Sequence, residues 1–291
     1  MQLDRTRVTI RERGMLEICD LALAVCRDLS PKLLTMFAVG VIPFAILNRF
    51  LVGWVIEDLN GYTFTQYAYL MTLLIYIEAQ LATTAATAFL GDAMFLRPPT
   101  VRDVLKTLST LSGRLFFTVG IMRGVFPAIA VVILLRADEF PCVLALSVIA
   151  GYAGLIQAVR PYLNEIILLE RNPLWSRDKR TITIGRRSAK LHNPNTGELF
   201  GQHLALCGLS NLLTIMLIFG SWFVVGTLFS DWAWGPVMLH VIFPACLWAV
   251  ACYMVVVRYL SYLDLRTRRE GWAVELIMRA EANRLQKQMA A

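Results

Sequence analysis

The chain has 291 residues, of which 57% are hydrophobic and 17% are charged, and its mean hydropathy is +0.58. Soluble domains carry about a quarter charged residues, so this composition argues against a water-soluble globular protein without excluding one. The net charge of +7 comes without a basic patch interleaved with aromatic residues, so nucleic acid is not an expected partner.

The first predicted element is an amphipathic helix from Arg13 to Leu29. Its apolar positions include Leu16, Leu21, Leu23 and Val25, and charged residues mark the opposite face. A helix of this kind, placed just before an apolar stretch, is expected to lie along the cytoplasmic surface of a membrane.

Six stretches of about 20 residues or more then follow, each poor in charge, and each is long enough to cross about 30 Å of hydrocarbon. They run over Leu33–Ile56, Gln66–Leu90, Leu115–Leu135, Cys142–Leu169, Leu204–Phe229 and Val237–Leu263. The sequence therefore predicts an all-α, polytopic membrane protein. Its expected parts are an interfacial segment at 1–32, a six-helix transmembrane domain at 33–263 and a helical tail at 264–291.

The basic residues predict the topology. Of the 28 Lys and Arg residues, 24 lie in four segments: before the first stretch, in the loops at 91–114 and 170–203, and from Arg258 onward. The loops between these segments hold one basic residue and five acidic ones. Such an alternation favours a bacterial inner membrane protein with both termini and the basic loops in the cytoplasm. Anionic lipid head groups are expected partners at that face.

Two cytoplasmic loops and the apolar stretches carry further signals. Thr100 and Asp103 are placed to cap a short amphipathic helix, while Arg171–Gly201 is polar and rich in turn residues. Small residues recur every fourth position, which indicates helix packing within the bundle or, alternatively, dimerisation; they are Ala79, Thr83 and Thr87 in the second stretch, and Ala150, Gly154 and Ala158 in the fourth.

Two charged residues lie near the predicted midplane. Glu78 and Arg123 are each about 12 residues from the outer end of their stretches, which is about 18 Å. Because an unpaired charge at that depth is unfavourable by a few kcal/mol at least, the sequence predicts an ion pair between them. This pair is either a buried structural contact or part of a polar, proton-linked site.

A second polar group is expected toward the cytoplasm. Arg160 and Glu165 lie near the inner end of the fourth stretch, next to Pro161, and are placed to contact Asp264 and Arg266 of the tail. No metal-ligand spacing, nucleophile motif or glycine-rich nucleotide loop occurs, so no cofactor and no catalytic residue is predicted.

Three segments together resemble bacterial membrane proteins related to the membrane domain of glycerophosphoryl diester phosphodiesterases. The segments are Glu17–Ala22, Glu165–Glu170 with the following Arg186–Ser188, and Tyr262–Leu276. The resemblance implies a six-helix membrane domain without phosphodiesterase activity, because the catalytic barrel of that group is a separate soluble domain. It also implies a network at the cytoplasmic face, formed by Glu165, Glu170, Asp264, Arg268 and Glu270. The turn at Asn193–Gly197 departs from the group.

Three functions are compatible with these features. The first is a non-catalytic membrane subunit or scaffold that anchors or regulates a protein partner through its basic face. The second is a small transporter or lipid-handling protein that uses the buried Glu78 and Arg123 region. The third, a membrane-embedded enzyme, has no residue-level support.

Overall fold

A computed structural model describes residues 13–56, 61–94, 99–136, 139–177, 181–230 and 232–270. These residues form helices joined by short turns, without a strand. The helices are α1 (Met15–Asp28), α2 (Ser30–Val52), α3 (Gly61–Ala82), α4 (Thr84–Ala93), α5 (Val101–Leu115), α6 (Val125–Leu134), α7 (Glu139–Val159), α8 (Leu163–Glu165), α9 (Ile184–His192), α10 (Thr196–Phe229) and α11 (Phe243–Glu270). Short 3-10 turns occupy Gly53–Ile56 and Asn193–Asn195, and π-helical turns occupy Phe116–Ile121, Ile166–Glu170 and Met238–Ile242.

Within the described residues, four helical segments are long and apolar enough to cross a membrane. The number rises to six if each of two bent pairs is one span: α3 with α4, bent by 40°, and the segment Val101–Ile121 with α6, bent by 61°. The predicted all-α class is confirmed for the described residues, and their apolar helices are compatible with a multi-pass membrane protein.

Described residues that flank the basic loops and the acidic loops lie at opposite ends of the bundle. At one end, Nη1 of Arg114 donates to the carbonyls of Arg171 (2.6 Å) and Asn172 (2.9 Å), which joins two of the basic segments. At the other end, the guanidinium of Arg136 lies 5.6 Å from the ring centre of Trp54, and the rings of Phe64 and Trp234 are 5.3 Å apart. We call these the basic end and the acidic end, after the charges of their loops.

The loop predicted from Arg171 to Gly201 is more ordered than its composition indicated. It contains α9, whose start is capped by Thr183, the hydroxyl of which accepts from the N–H of Arg186 at 3.5 Å. Helix α10 begins at Thr196, eight residues before the predicted Leu204, so the polar Thr196–His203 segment continues the apolar helix. The described part of the tail is the end of α11, and residues 271–291 lie outside the described ranges.

Helix α1 forms as predicted, but its packed face matches the predicted one only in part. Ile18, Cys19, Ala22 and the predicted Val25 are buried, and the hydroxyl of Tyr253 on α11 donates to the Cys19 carbonyl at 3.0 Å. Leu16 and Leu23, which the sequence assigned to the apolar face, are 73% and 58% exposed. The small side chains of Cys19 and Ala22 allow a close approach to α11.

The small-residue row of the second stretch lies inside the bundle, where Thr83 and Thr87 are fully buried. Gly40 of α2 faces this region, and a Cβ added to it would fall 1.8 Å from the Ala82 carbonyl oxygen. The backbones of α2 and α3 therefore touch where α3 ends. The predicted cap of α5 is also confirmed, since Thr100 and Asp103 form a reciprocal capping box.

Candidate functional site

Three of the helical segments are interrupted around one region of the interior. Helix α3 gives way to α4 at Thr83, the third stretch breaks at Met122–Gly124, and α7 ends at Val159 before Pro161. Gly124 has a φ of +80°, in the left-handed region that glycine adopts most easily, and Pro161 lacks the N–H that would continue α7. Each break releases backbone carbonyls that side chains can reach.

Arg123 lies at the second of these breaks and is completely buried. Its Nη2 donates to the carbonyl of Arg160 at 3.0 Å, at the end of α7, and its Nη1 donates to Oε1 of Gln80 at 2.6 Å. The carbonyl end of a helix carries partial negative charge. The break after α7 therefore helps to stabilise a cation far from solvent.

The amide of Gln80 connects two arginines. Its Oε1 accepts from Nη1 of both Arg123 and Arg258, and its Nε2 donates to Oε1 of Gln157 at 3.1 Å. Nε of Arg258 in turn donates to Oε1 of the fully buried Glu165 at 2.7 Å. Among the described residues, Glu165 is the one carboxylate paired with these arginines. The cluster therefore has a formal charge of +1.

A cavity of about 360 Å³ opens beside this cluster, between α3, α7, α10 and α11. Gln80, Gln157 and Arg258 line it toward the basic end, together with Gln202 and His203 of α10. Most of its remaining wall is apolar and includes Ile75, Leu206, Ile215, Leu247, Val250 and Met254. Thr72, Tyr76, Ser210, Asn211 and Thr214 add polar groups to that wall. One end of the cavity is thus polar and cationic, and the rest is mainly apolar.

Two hydrogen-bond donors of the cavity lining lack a partner in the structure. They are Nε2 of Gln157, a side chain that is only 7% exposed, and Nη2 of Arg258. Buried donors in folded proteins are nearly always paired with protein or water. Two unpaired donors beside an uncompensated positive charge indicate a place for an anionic, hydrogen-bond-accepting group.

Glu78 is not part of this cluster, which corrects the predicted ion pair with Arg123. Its Oε2 accepts from Nδ2 of Asn48 on α2 at 2.7 Å, whereas Arg123 contacts Gln80. Residues two positions apart on a helix point about 200° away from each other, so Glu78 and Gln80 face opposite sides of α3. Both charges are fully buried as expected, but each has its own partners.

The predicted cytoplasmic network separates into independent groups. Glu165 lies with Arg258 rather than with the tail. Glu170 is bound by Nη2 of Arg187 at 2.8 Å and by the hydroxyl of Tyr262 at 2.7 Å, with Nη1 of Arg266 at 3.6 Å. Burial alone would raise the pKa of the Glu170 carboxyl, but the hydrogen bonds from Arg187 and Tyr262 outweigh it and lower that pKa.

Asp264 belongs to a third group. Its Oδ2 lies 3.0 Å from Nε of Arg268, its Oδ1 accepts from the backbone N–H of Arg13 at 2.8 Å, and Arg268 also reaches Glu198 at 2.7 Å. The Arg160 side chain is exposed, and it is the backbone carbonyl of Arg160 that accepts a hydrogen bond from Arg123. The Glu270 side chain lies outside the described set. Arg258 and Arg266 are separated by about 12 Å along α11, so Glu165, which binds Arg258, lies apart from the Glu170 group that contains Arg266.

The sequence did not single out Gln80, Gln157, Arg258 or Asn48. Arg258 was counted with the basic tail although it lies inside the last apolar stretch. Gln80 and Gln157 are uncharged, so a search for buried charges passes over them. A search for amides inside apolar stretches at the level of Glu78 and Arg123 would have found both glutamines.

The described residues contain no group of three or more His, Cys, Asp or Glu side chains placed to hold a metal ion. The chain matches no protein-family model, no curated protein and no solved structure. The family resemblance seen in the sequence therefore stays a prediction, and the cluster around Gln80 is interpreted from its own geometry.

Proposed function

We propose that this protein is a multi-pass protein of the bacterial inner membrane that binds an anionic amphipathic molecule, of the phospholipid class, in the cavity beside Gln80. In this proposal six spans cross the bilayer, both termini and the basic end face the cytoplasm, and the protein handles lipid without catalysing a reaction. This is the second of the functions that the sequence left open.

The observation that carries the proposal is the convergence of Arg123 and Arg258 on one amide oxygen with a single carboxylate nearby. An uncompensated charge in a low-dielectric interior is unfavourable by several kcal/mol. A bound phosphate group would supply the missing negative charge and would accept from the free donors of Arg258 and Gln157. Guanidinium groups suit this role because their N–H groups match phosphate geometry.

The shape of the cavity favours an amphipath over a small soluble anion. Its cationic part lies toward the basic end and its apolar part toward the middle of the bundle. With the basic end in the cytoplasm, the polar part is at the depth of the inner leaflet. Interrupted helices around a buried polar site are a feature of membrane proteins that bind solutes within the bilayer, and three interruptions surround Gln80 here.

Lipid retention after purification in mild detergent tests the proposal. Native mass spectrometry of the wild type is expected to show a bound anionic phospholipid, and Gln80→Glu is expected to lose it, because the added carboxylate neutralises the cluster. Gln66→Glu is the matched control, since Gln66 lies on the same helix and is equally buried at 8%, but does not line the cavity. Equal retention by wild type and Gln80→Glu, or no preference for anionic over zwitterionic lipid, would refute the proposal.

Cysteine labelling in intact cells tests the topology separately. Trp175, which is 89% exposed at the basic end, is replaced by cysteine in one variant, and Ser230 at the acidic end is replaced in the other. A membrane-impermeant maleimide is expected to label the Ser230→Cys variant in intact cells and the Trp175→Cys variant only after lysis, above the wild-type background. The opposite pattern would reverse the proposed orientation.

A scaffold remains the second candidate because of α10. Of its 34 residues only Leu199, Ile218 and Gly226 are buried, so nearly its whole length is open to lipid or to a partner helix. Co-purification of a second subunit in a fixed ratio, together with no retained lipid, would favour this function over the first.

A further inference from the structure

Glu78 is a buried acid without a cation. It is completely buried, its Oε2 accepts one hydrogen bond from the Asn48 amide, and its Oε1 has no partner. An ionised carboxylate at this position would lose its hydration and gain only one hydrogen bond from a neutral amide. Burying the charge in this way is strongly unfavourable. A carboxylic acid is far easier to accommodate because it carries no charge.

We propose that Glu78 is a proton-binding site and that its protonation is coupled to anion binding beside Gln80. The second part rests on the proposed function, and the first part does not. The reaction is a proton transfer from hydronium to the Glu78 carboxylate, which leaves a neutral carboxylic acid and a water molecule. No other bond changes.

In this proposal the proton reaches Glu78 along the polar side of a groove next to Asn48. The groove has a volume of about 460 Å³ and lies between α2 and α11. Asn48, Arg49 and His240 form its polar side, and the rest of its lining is largely apolar, including Phe37 and Trp248. Arg49 is exposed, and its guanidinium lies against Gly53 near the acidic end. Asn48 therefore stands between Glu78 and a groove that reaches the surface.

Few other ionisable groups lie on the elements that pack around Glu78. Arg49 of α2 and His240 at the start of the last helical segment belong to the groove side. Arg123, Arg258 and Glu165 belong to the opposite side of α3, and His203 of α10 lines the cavity there. Histidine is the side chain whose unperturbed pKa lies closest to neutrality, so His203, which lines the cavity, requires a control in any experiment on pH.

The coupling follows from the positions of Glu78 and Gln80. Their Cα atoms are separated by a rise of about 3 Å along α3, and both side chains are buried, so charges near them are weakly screened. A negative charge on Glu78 would repel an anion bound next to Gln80, whereas a protonated Glu78 would not. Proton and anion are therefore expected to strengthen each other's binding, and linkage requires the effect to be reciprocal.

The test measures binding of a phosphatidylglycerol with a fluorescent acyl chain to the full-length protein in nanodiscs of zwitterionic lipid, from about pH 6 to about pH 9. The phosphodiester keeps its single charge over this range. Wild-type affinity is expected to fall on the order of tenfold as the pH rises. Glu78→Gln is expected to bind tightly at every pH. His203→Gln alters the cavity lining, so its absolute affinity can differ, but the ratio of its affinities at the two ends of the pH range is expected to match that of the wild type. A pH dependence that survives in Glu78→Gln, or that vanishes in His203→Gln, would overturn the coupling.

Infrared spectroscopy of the lipid-free protein tests the proton site without any ligand. The C=O stretching band of a protonated carboxylic acid is expected in the wild type at neutral pH and absent from Glu78→Gln. Glu165→Gln is the comparison variant, because an acid paired with Arg258 should contribute no such band. If the band is present and the lipid does not bind, the proposed function fails while the proton site stands. If the lipid binds and wild type and Glu78→Gln give the same spectrum, the proton site is overturned and the proposed function stands.

Discussion

Replacing Gln80 with leucine tests how much the hydrogen bonds of this one amide contribute to the stability of the fold. The substitution preserves approximate volume but removes the acceptor shared by Arg123 and Arg258 and the donor to Gln157. Hydrogen bonds to charged groups contribute about 1.5–3 kcal/mol each, and a neutral one about 0.5–1.5 kcal/mol. The total loss is about 4–7 kcal/mol, which water entry from the cavity would reduce to about 3 kcal/mol or more.

Thermal unfolding in mild detergent measures this loss. At roughly 2 °C per kcal/mol for a chain of this size, Gln80→Leu is expected to lower the Tm by about 6 °C or more. Gln157→Leu removes only the neutral hydrogen bond and should lower it by about 2 °C. Gln66→Leu is the control on the same helix, and little change is expected because its amide oxygen has no partner. A Gln80→Leu protein as stable as the wild type would show that the arginines do not depend on this amide.

Three further predictions concern other parts of the bundle. The folded-state pKa of Glu170 is lowered, so the ionised carboxylate stabilises the fold at pH values above its unfolded pKa of about 4.5. This stabilisation should be lost as the pH falls through the lowered pKa. The Tm, measured from about pH 7 to about pH 3, should therefore fall less steeply in Glu170→Gln than in the wild type. Gly40→Ala should destabilise by about 1–3 kcal/mol, because its Cβ would meet the Ala82 carbonyl, while Gly208→Ala, with open space around it, should be neutral or stabilising in the same assay. Gly124→Ala should lower the Tm by a few degrees, since φ is +80° there and a side chain in that region is unfavourable by about 1 kcal/mol; an unchanged Tm would argue against the left-handed break beside Arg123.

Hydrophobicity was sufficient to predict the helical class and the presence of several helices long enough to span a membrane. These predictions depend on the hydrophobicity and charge of the residues within one continuous stretch, such as Leu204–Phe229, and do not require knowledge of contacts between helices. Burial of Glu78 and Arg123 was predictable for the same reason. The capping box at Thr100 was predictable because it is local, with both partners within three residues.

The partners of the buried charges were not predictable in this way. Depth along a helix follows from counting residues, but the face that a residue presents also depends on where the helices break. Arg123 follows the π-helical turn at Phe116–Ile121 and lies in the break before α6, so a regular helical pattern does not give its direction, and it meets Gln80 instead of Glu78. The Glu165–Arg258 contact joins residues 93 positions apart, and no local pattern indicates it.

The hydrogen bond from the Arg13 backbone to Asp264 has a topological consequence. These residues are 251 positions apart in sequence and lie 2.8 Å from each other at the donor and acceptor atoms, so both occupy one face of the molecule. A chain that leaves one face of a bilayer and returns to it has crossed an even number of times. If this bundle lies in a bilayer with that face on one side, the chain between Arg13 and Asp264 therefore crosses the membrane an even number of times.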